Sequence, residues 1–205
     1  MKRKIVYKLT DSQMQTYHGY QWQLNKTRTA SGEGKLCGPG WLHAYESPLL
    51  AVLHQPIHVH FSDPRLFRGM ASGKIYRDGG MKIGVQSLML QEELPLPVIT
   101  QEQRIRYAIR CAWAVSADAG WQQWAKQWID GRDRSAVAAS TAWAATKMRA
   151  ARVAAWAATM NAASATAMKA ARTGKKDELP LSQYAEWALT AQPLPSPFMK
   201  RREKK

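Results

Sequence analysis

The sequence has only two cysteines, Cys37 and Cys111, and no C-x-x-C pair. That argues against a disulfide framework or a cysteine-rich zinc site, and for reduced thiols. Long apolar runs are missing as well. The longest uncharged helical stretch, residues 153–168, is rich in Ala, Thr and Ser, too short and too polar to span a bilayer. Residues 5–20 carry Lys8, Asp11 and many polar side chains, so they make no secretion-signal core. A cytoplasmic setting without membrane contact is expected, with no bearing on oligomeric state. Acidic residues are scarce, 15 against 30 Lys plus Arg, for a formal charge of +15. Phe is scarce too, three residues against nine Trp. Each Trp adds large buried area and one N–H that needs a partner.

With 45% apolar residues the chain can bury a core, so global disorder is excluded. Composition changes abruptly near Pro97. The expected fold class is α+β: a strand-rich mixed domain over 1–97, an Ala/Trp-rich helical bundle over 98–198, and a basic tail over 199–205. Leu94-Pro95-Leu96-Pro97 reads as an extended linker, because proline restricts itself and the residue before it.

In the first part, residues 5–9 and 20–24 read as strands, the second alternating Tyr20, Trp22 and Leu24 with Gln. Ser47-Pro48 marks a helix start, with a short helix over 49–53. Residues 57–61 alternate Ile57, Val59 and Phe61 with His58 and His60, as a strand does. Residues 72–76 and 81–85 form a hairpin around Asp78-Gly79-Gly80, and 86–90 closes the sheet.

In the second part, Thr100-Gln101-Glu102-Gln103 is a capping box. The helix it opens places Ile105, Ala108, Ile109, Ala112 and Trp113 on one face. Trp121, Trp124 and Trp128 form another helical stripe, interrupted at Gly131, with Asp133 as cap of the next helix. From Ala136 to Ala171, 18 of 36 residues are Ala, the best helix former. Trp143-Ala-Ala-Thr146 recurs as Trp156-Ala-Ala-Thr159, an offset that one straight helix cannot place on one face, so several short antiparallel helices are expected. Ser182 is expected to cap a last helix through Leu189.

Charge is uneven. Residues 1–97 carry 12 basic and 7 acidic side chains; residues 98–205 carry 18 and 8. Between Asp133 and Asp177 there is no acid. That interval holds Arg134, Lys147, Arg149, Arg152, Lys169, Arg172, Lys175 and Lys176, and the tail adds Lys200, Arg201 and Arg202. An ordinary solvated helix mixes signs, because i,i+4 pairs support it. Here that support is abandoned, which favours a basic face for phosphates or carboxylates. On a continuous helix Lys147, Lys169, Arg172 and Lys176 would fall within about 60° of one another. The plainer reading is cations that snorkel from an Ala-rich bundle and keep it soluble. No helix-turn-helix, zinc-finger or RNA-recognition signature is present, so binding by charge and shape is expected, without base readout.

Candidate chemistry is thin. His54, His58 and His60 form an H-x3-H-x-H group with no carboxylate or cysteine at a completing spacing, so alternating His on an exposed strand is the simpler account and no metal is expected. Cys37 with His43 lacks any protease signature. Gly32-Glu33-Gly34 and Gly38-Pro39-Gly40 lack the phosphate-cradle spacing and read as turns.

Tyr7-Lys8, Gly19-Tyr20-Gln21-Trp22, Asn25-Lys26-Thr27, Lys35-Leu36-Cys37, Gly40-Trp41-Leu42-His43-Ala44, Ser47-Pro48, Ser72-Gly73-Lys74-Ile75 and Lys82-Ile83-Gly84 carry a resemblance. Over about 7–94 they resemble an uncharacterised family of small domains common in bacteriophage-encoded proteins, often continued by Ala-rich helices. The resemblance implies a phage or prophage origin and no particular activity. Tyr7-Lys8-Leu9-Thr10 with His43-Ala44-Tyr45 is also similar to small ADP-ribosyltransferase folds. That similarity implies NAD as cofactor and Tyr7, His43 and Tyr45 as site residues. The sequence departs from it in having Lys8 where that family has His or Arg, and in lacking a clear Glu near the last strands.

Together these readings lead to an expected accessory protein that binds and does not catalyse, with no cofactor. Its partner would be nucleic acid, held by phosphates, or an acidic surface of a host defence complex that it inhibits in the host cytoplasm. An ADP-ribosyltransferase acting on a host target is the alternative.

Overall fold

β1, Lys4–Thr10, turns Val6, Lys8 and Thr10 to one face and Tyr7 and Leu9 to the other, the period-two alternation of a strand. It pairs antiparallel with β6, Arg65–Asp78, in an unbroken register from Lys4↔Ala71 to Thr10↔Arg65. β6 returns as β7, Lys82–Leu94, through Gly79 and Gly80, both in left-handed conformation. The 72–76/81–85 hairpin expected from sequence is therefore present, extended into two long strands. The computed structural model describes residues 3–58, 61–146, 166, 169–170 and 179–195. It shows an antiparallel sheet followed by helices, the α+β class expected from composition. The chain divides into two units, Met1–Thr100 with Lys176–Glu186, and Gln101–Lys175 with Trp187–Lys205.

The other side of β7 is shared. β5, Leu42–Ala44, takes its first part and β4, Thr27–Thr29, its second. Beyond β5, Tyr45 and Tyr7 exchange both backbone hydrogen bonds at 2.8 Å. That bridge returns the path β1–β6–β7–β5 to β1. Two register shifts interrupt the β6–β7 ladder. At one, Gly73 adopts φ 80°, where a Cβ would meet the Gln86 side chain. A bulge there needs glycine.

Inside the curled sheet Val6, Trp22, Ala44, Phe67, Ile83, Val85, Leu88 and Leu90 form one core. On the opposite face Leu9, Ala51 and Leu66 pack with Tyr7, Tyr45, Phe61 and Leu94. Ala51 belongs to α1, Pro48–His58, which begins directly after Ser47 as the Ser-Pro signal requires. α1 also overturns the strand expected over 57–61. Five alternating residues are too few to outweigh a helix already carrying buried Leu50, Leu53 and His54, and Ile57 and His58 continue its last turn. Val59 and His60 lie outside the described residues.

The expected strand over 20–24 is also corrected. A small hairpin, β2 Gln15–Thr16 and β3 Tyr20–Gln21, occupies its start. Trp22 is buried, whereas Tyr20 and Leu24 are exposed, so the three do not share a buried face. Left-handed Met14 and Asn25 break the regular alternation on either side.

In the second unit, α2, Gln101–Trp113, buries Ile105, Ala108, Ile109, Ala112 and Trp113, the face read from the sequence. α3, Ala119–Ile129, buries Trp121, Trp124 and Trp128 and starts at Asp118, whose carboxylate accepts from Trp121 N at 2.8 Å. α4, Ala136–Ala145, is capped by Ser135, not by Asp133 as expected. Asp133 instead accepts the Ser135 N–H at 2.9 Å, which positions the cap and lowers its own carboxyl pKa. At Thr146 the backbone becomes extended, so α4 ends between Trp143 and its sequence repeat. α5, Leu181–Ala188, begins one residue before Ser182, after Pro180, so Ser182 lies in its first turn and is not its cap.

Candidate functional site

The residues named by the transferase-like resemblance converge around the β1–β5 junction. Tyr7 and Tyr45 meet through their backbones, so their positions are fixed relative to each other. Burial raises the Tyr45 phenol pKa well above its ordinary value. Its ring lies 6.0 Å, edge-on, from that of His54. His43 is half-buried, and its Nε2 bonds the carbonyl of Leu36. Burial first, and the charges of Lys82 and Lys8 next, hold the His43 pKa below the usual histidine value. At neutral pH that favours an uncharged ring.

Neither charge nor spacing singles out Lys8 in the sequence. It shares the face of Val6 and is only 8% exposed. Its Nζ donates to the carbonyl of His43 at 2.6 Å and lies 4.7 Å from the centroid of the Trp22 ring. No carboxylate pairs with it among the described residues. Burial lowers its pKa to about 8. A signal was available: Val6, Lys8 and Thr10 alternate on a strand whose neighbours are apolar.

Cys37 does not pair with His43. Its Sγ receives a hydrogen bond from Lys82 Nζ at 3.4 Å. Among the described residues no group of three His, Cys, Asp or Glu is arranged to hold a metal.

Ion pairs occur within both units. In the first, Lys4 and Arg77 share Glu46, Arg65 grips Glu93 with two bonds, Arg68 meets Glu92, and Lys74 meets Glu33. These cations are matched locally by carboxylates. In the second unit Arg134 is engaged: its Nη2 bonds Glu102 at 2.8 Å, its Nε donates to the carbonyl of Trp128, and its guanidinium covers the Trp128 ring at 4.7 Å. Lys169 is helical and half-buried. Lys147, Arg149, Arg152, Arg172, Lys175, Lys176, Lys200, Arg201 and Arg202 lie outside the described residues. No described helix is long and apolar enough to cross a membrane.

No curated protein and no solved structure matches this chain significantly. Residues 4–102 match the model of a family described as Domain of unknown function (DUF7666), which takes in the whole sheet and the start of α2.

Proposed function

We propose that the protein is a basic accessory protein of bacteriophage type that acts by binding a polyanion. The target is nucleic acid held by its phosphates, or an acidic surface of a host defence complex that it inhibits. The observation that supports this reading is the distribution of charge along the sequence between Asp133 and Asp177. That interval, Arg134–Lys176, supplies eight cations and no acid. A surface so one-sided concentrates anions around it.

The test is binding to arbitrary DNA or RNA across a salt series, with Lys147, Lys169, Arg172 and Lys176 changed to Glu. Nucleic-acid binding falls steeply with salt, with a log–log slope of roughly −0.9 for each phosphate neutralised. The charge-reversed variant loses binding and keeps its thermal stability. Tight capture of one host complex without affinity for free nucleic acid selects the second target. Unchanged binding by the variant overturns the reading.

A second reading, ADP-ribosyl transfer from NAD to a host target, draws on the pairing of Tyr7 with Tyr45. The fit to NAD is poor, since Lys8 is buried against Trp22 where the family has His or Arg. Label transfer from NAD in host lysate, abolished by Tyr45→Ala, supports it; no transfer removes it.

A further inference from the structure

The hairpin β2–β3 leaves two tyrosines exposed, with the ring of Tyr20 also resting 5.3 Å from that of Trp22. Tyr17 is 70% exposed and Tyr20 41% exposed. The His18 ring sits 3.9 Å from that of Tyr17, and the Arg28 guanidinium lies 5.7 Å from the centroid of Tyr20. Isolated surface aromatics need no explanation, but a grouped set on one hairpin tip is a recognition feature.

The backbone that presents them is held firmly. Among the described residues, the three non-glycine positions with positive φ are Met14, His18 and Asn25, all in or beside this hairpin. Such conformations persist only where the surroundings over-determine them, and they cluster at ligand-binding segments. Here the surroundings do so. Asp11 Oδ1 accepts from the backbone N–H of Gln13 and Gln15, at 3.0 and 2.6 Å. Gln21 Nε2 donates to the carbonyl of Gln13, and Trp22 Nε1 donates to Thr16 Oγ1. Trp22 itself is in the core, so the hairpin is anchored by a buried ring at its base.

Charge identifies the occupant. From Ser12 to Gly32 there is no acidic residue, while Lys26 and Arg28 fall within that span. Arg28 has no carboxylate partner among the described residues; its Nη2 donates to the carbonyl of Gln21. The two acids that flank the span are Asp11, which has an oxygen engaged by the backbone, and Glu33, which meets Lys74 at 3.7 Å. Exposed π faces beside cations, in a segment cleared of carboxylates, match a chain that alternates flat bases with phosphates. Every unpaired base has a face to stack, so such a platform is tolerant of sequence. A duplex keeps those faces covered.

We infer that the Tyr17–Tyr20 hairpin is a stacking platform for single-stranded nucleic acid. The inference rests on the polyanion reading above and narrows it to a strand with unpaired bases.

The test uses the full chain and fluorescence anisotropy with labelled 20-nucleotide dT and rU strands, a 20-base-pair duplex, and heparin as a polyanion without bases. The wild type binds the single strands more tightly than the duplex. The double variant Tyr17→Ala/Tyr20→Ala weakens single-strand binding about ten-fold or more, in keeping with the loss of base stacking. Its heparin affinity and melting temperature stay at the wild-type values. Tyr17→Phe/Tyr20→Phe, which keeps the ring faces, binds like the wild type. Equal single-strand affinity of the wild type and the Ala variant overturns the platform, as does preference for duplex. Heparin binding without oligonucleotide binding also overturns it, while leaving the polyanion reading standing. Absence of binding to all four probes overturns the platform and the nucleic-acid form of that reading together.

Discussion

The Lys8 ammonium donates to the His43 carbonyl across 2.6 Å, beside the apolar core of the curled sheet. Lys8 thus reaches inward where a sheet residue beside Val6 would ordinarily be aliphatic. Even with the carbonyl and the Trp22 ring as partners, burial lowers its pKa from 10.5 to about 8. The sign follows from linkage. Between pH 8 and 10.5 the unfolded chain binds the Lys8 proton and the folded chain does not, so the Lys8 contribution to stability rises with pH across that window. Below it both states are protonated and the burial penalty is fully present. Denaturant unfolding of the wild type and Lys8→Met at pH 7.5 and 10.5 isolates this. The wild type should gain on the variant by about 3 kcal/mol as pH rises. A constant difference would show that the buried amine keeps its ordinary affinity for the proton.

Arg106 anchors the chain after α5. It is 4% exposed, its Nη2 donates to the carbonyl of Gln192 at 2.6 Å, and its guanidinium lies 4.6 Å from the centroid of Trp187. Trp187 Nε1 in turn donates to the carbonyl of Pro193. Arg106→Ala should reduce the unfolding free energy by about 2 kcal/mol, the scale of a charged hydrogen bond with its ring contact. Hydrogen exchange in residues 187–192 should accelerate. Arg106→Lys should not restore protection, because an ammonium lacks the planar fork that bonds and stacks together.

Gly69 tests the sheet. A Cβ there would stand 2.6 Å from the carbonyl oxygen of Met89, a backbone atom that cannot turn aside. Gly69→Ala should therefore destabilise the protein by about 1–3 kcal/mol, read as a shift in denaturant midpoint. An Ala variant of wild-type stability would mean that β6 and β7 separate there at little cost.

Periodicity made much of this fold legible. The α2 face and the α3 Trp stripe follow from apolar spacing over three turns, and the β6–β7 turn from Asp78-Gly79-Gly80. What failed was short or conditional. Five alternating residues at 57–61 could not distinguish a strand from the end of α1. Asp133 and Ser135 are both good caps, and only geometry shows that Asp133 holds the Ser135 N–H while Ser135 caps the helix. Tyr20, Trp22 and Leu24 looked like one face because sequence spacing does not reveal left-handed backbone at Met14 and Asn25. The candidate sites were legible only as classes of residue. Sequence listed Tyr7, His43 and Tyr45 but not Lys8 between them, because a buried lysine has no motif. The charge excess was plain, yet the pairing of Lys4, Arg65, Arg68, Lys74 and Arg77 with glutamates depends on cross-strand register and on contacts distant in sequence.

The exchange of hydrogen bonds between Tyr7 and Tyr45 also bears on how molecules of this protein meet one another. A strand at the border of a sheet offers its free amides and carbonyls to any extended chain that passes. Tyr7 stands at the middle of β1, and both of its outward groups are already taken. A strand from another molecule cannot extend the sheet across that point without displacing Tyr45. Self-association by strand addition is thereby blocked at the centre of β1 by two hydrogen bonds.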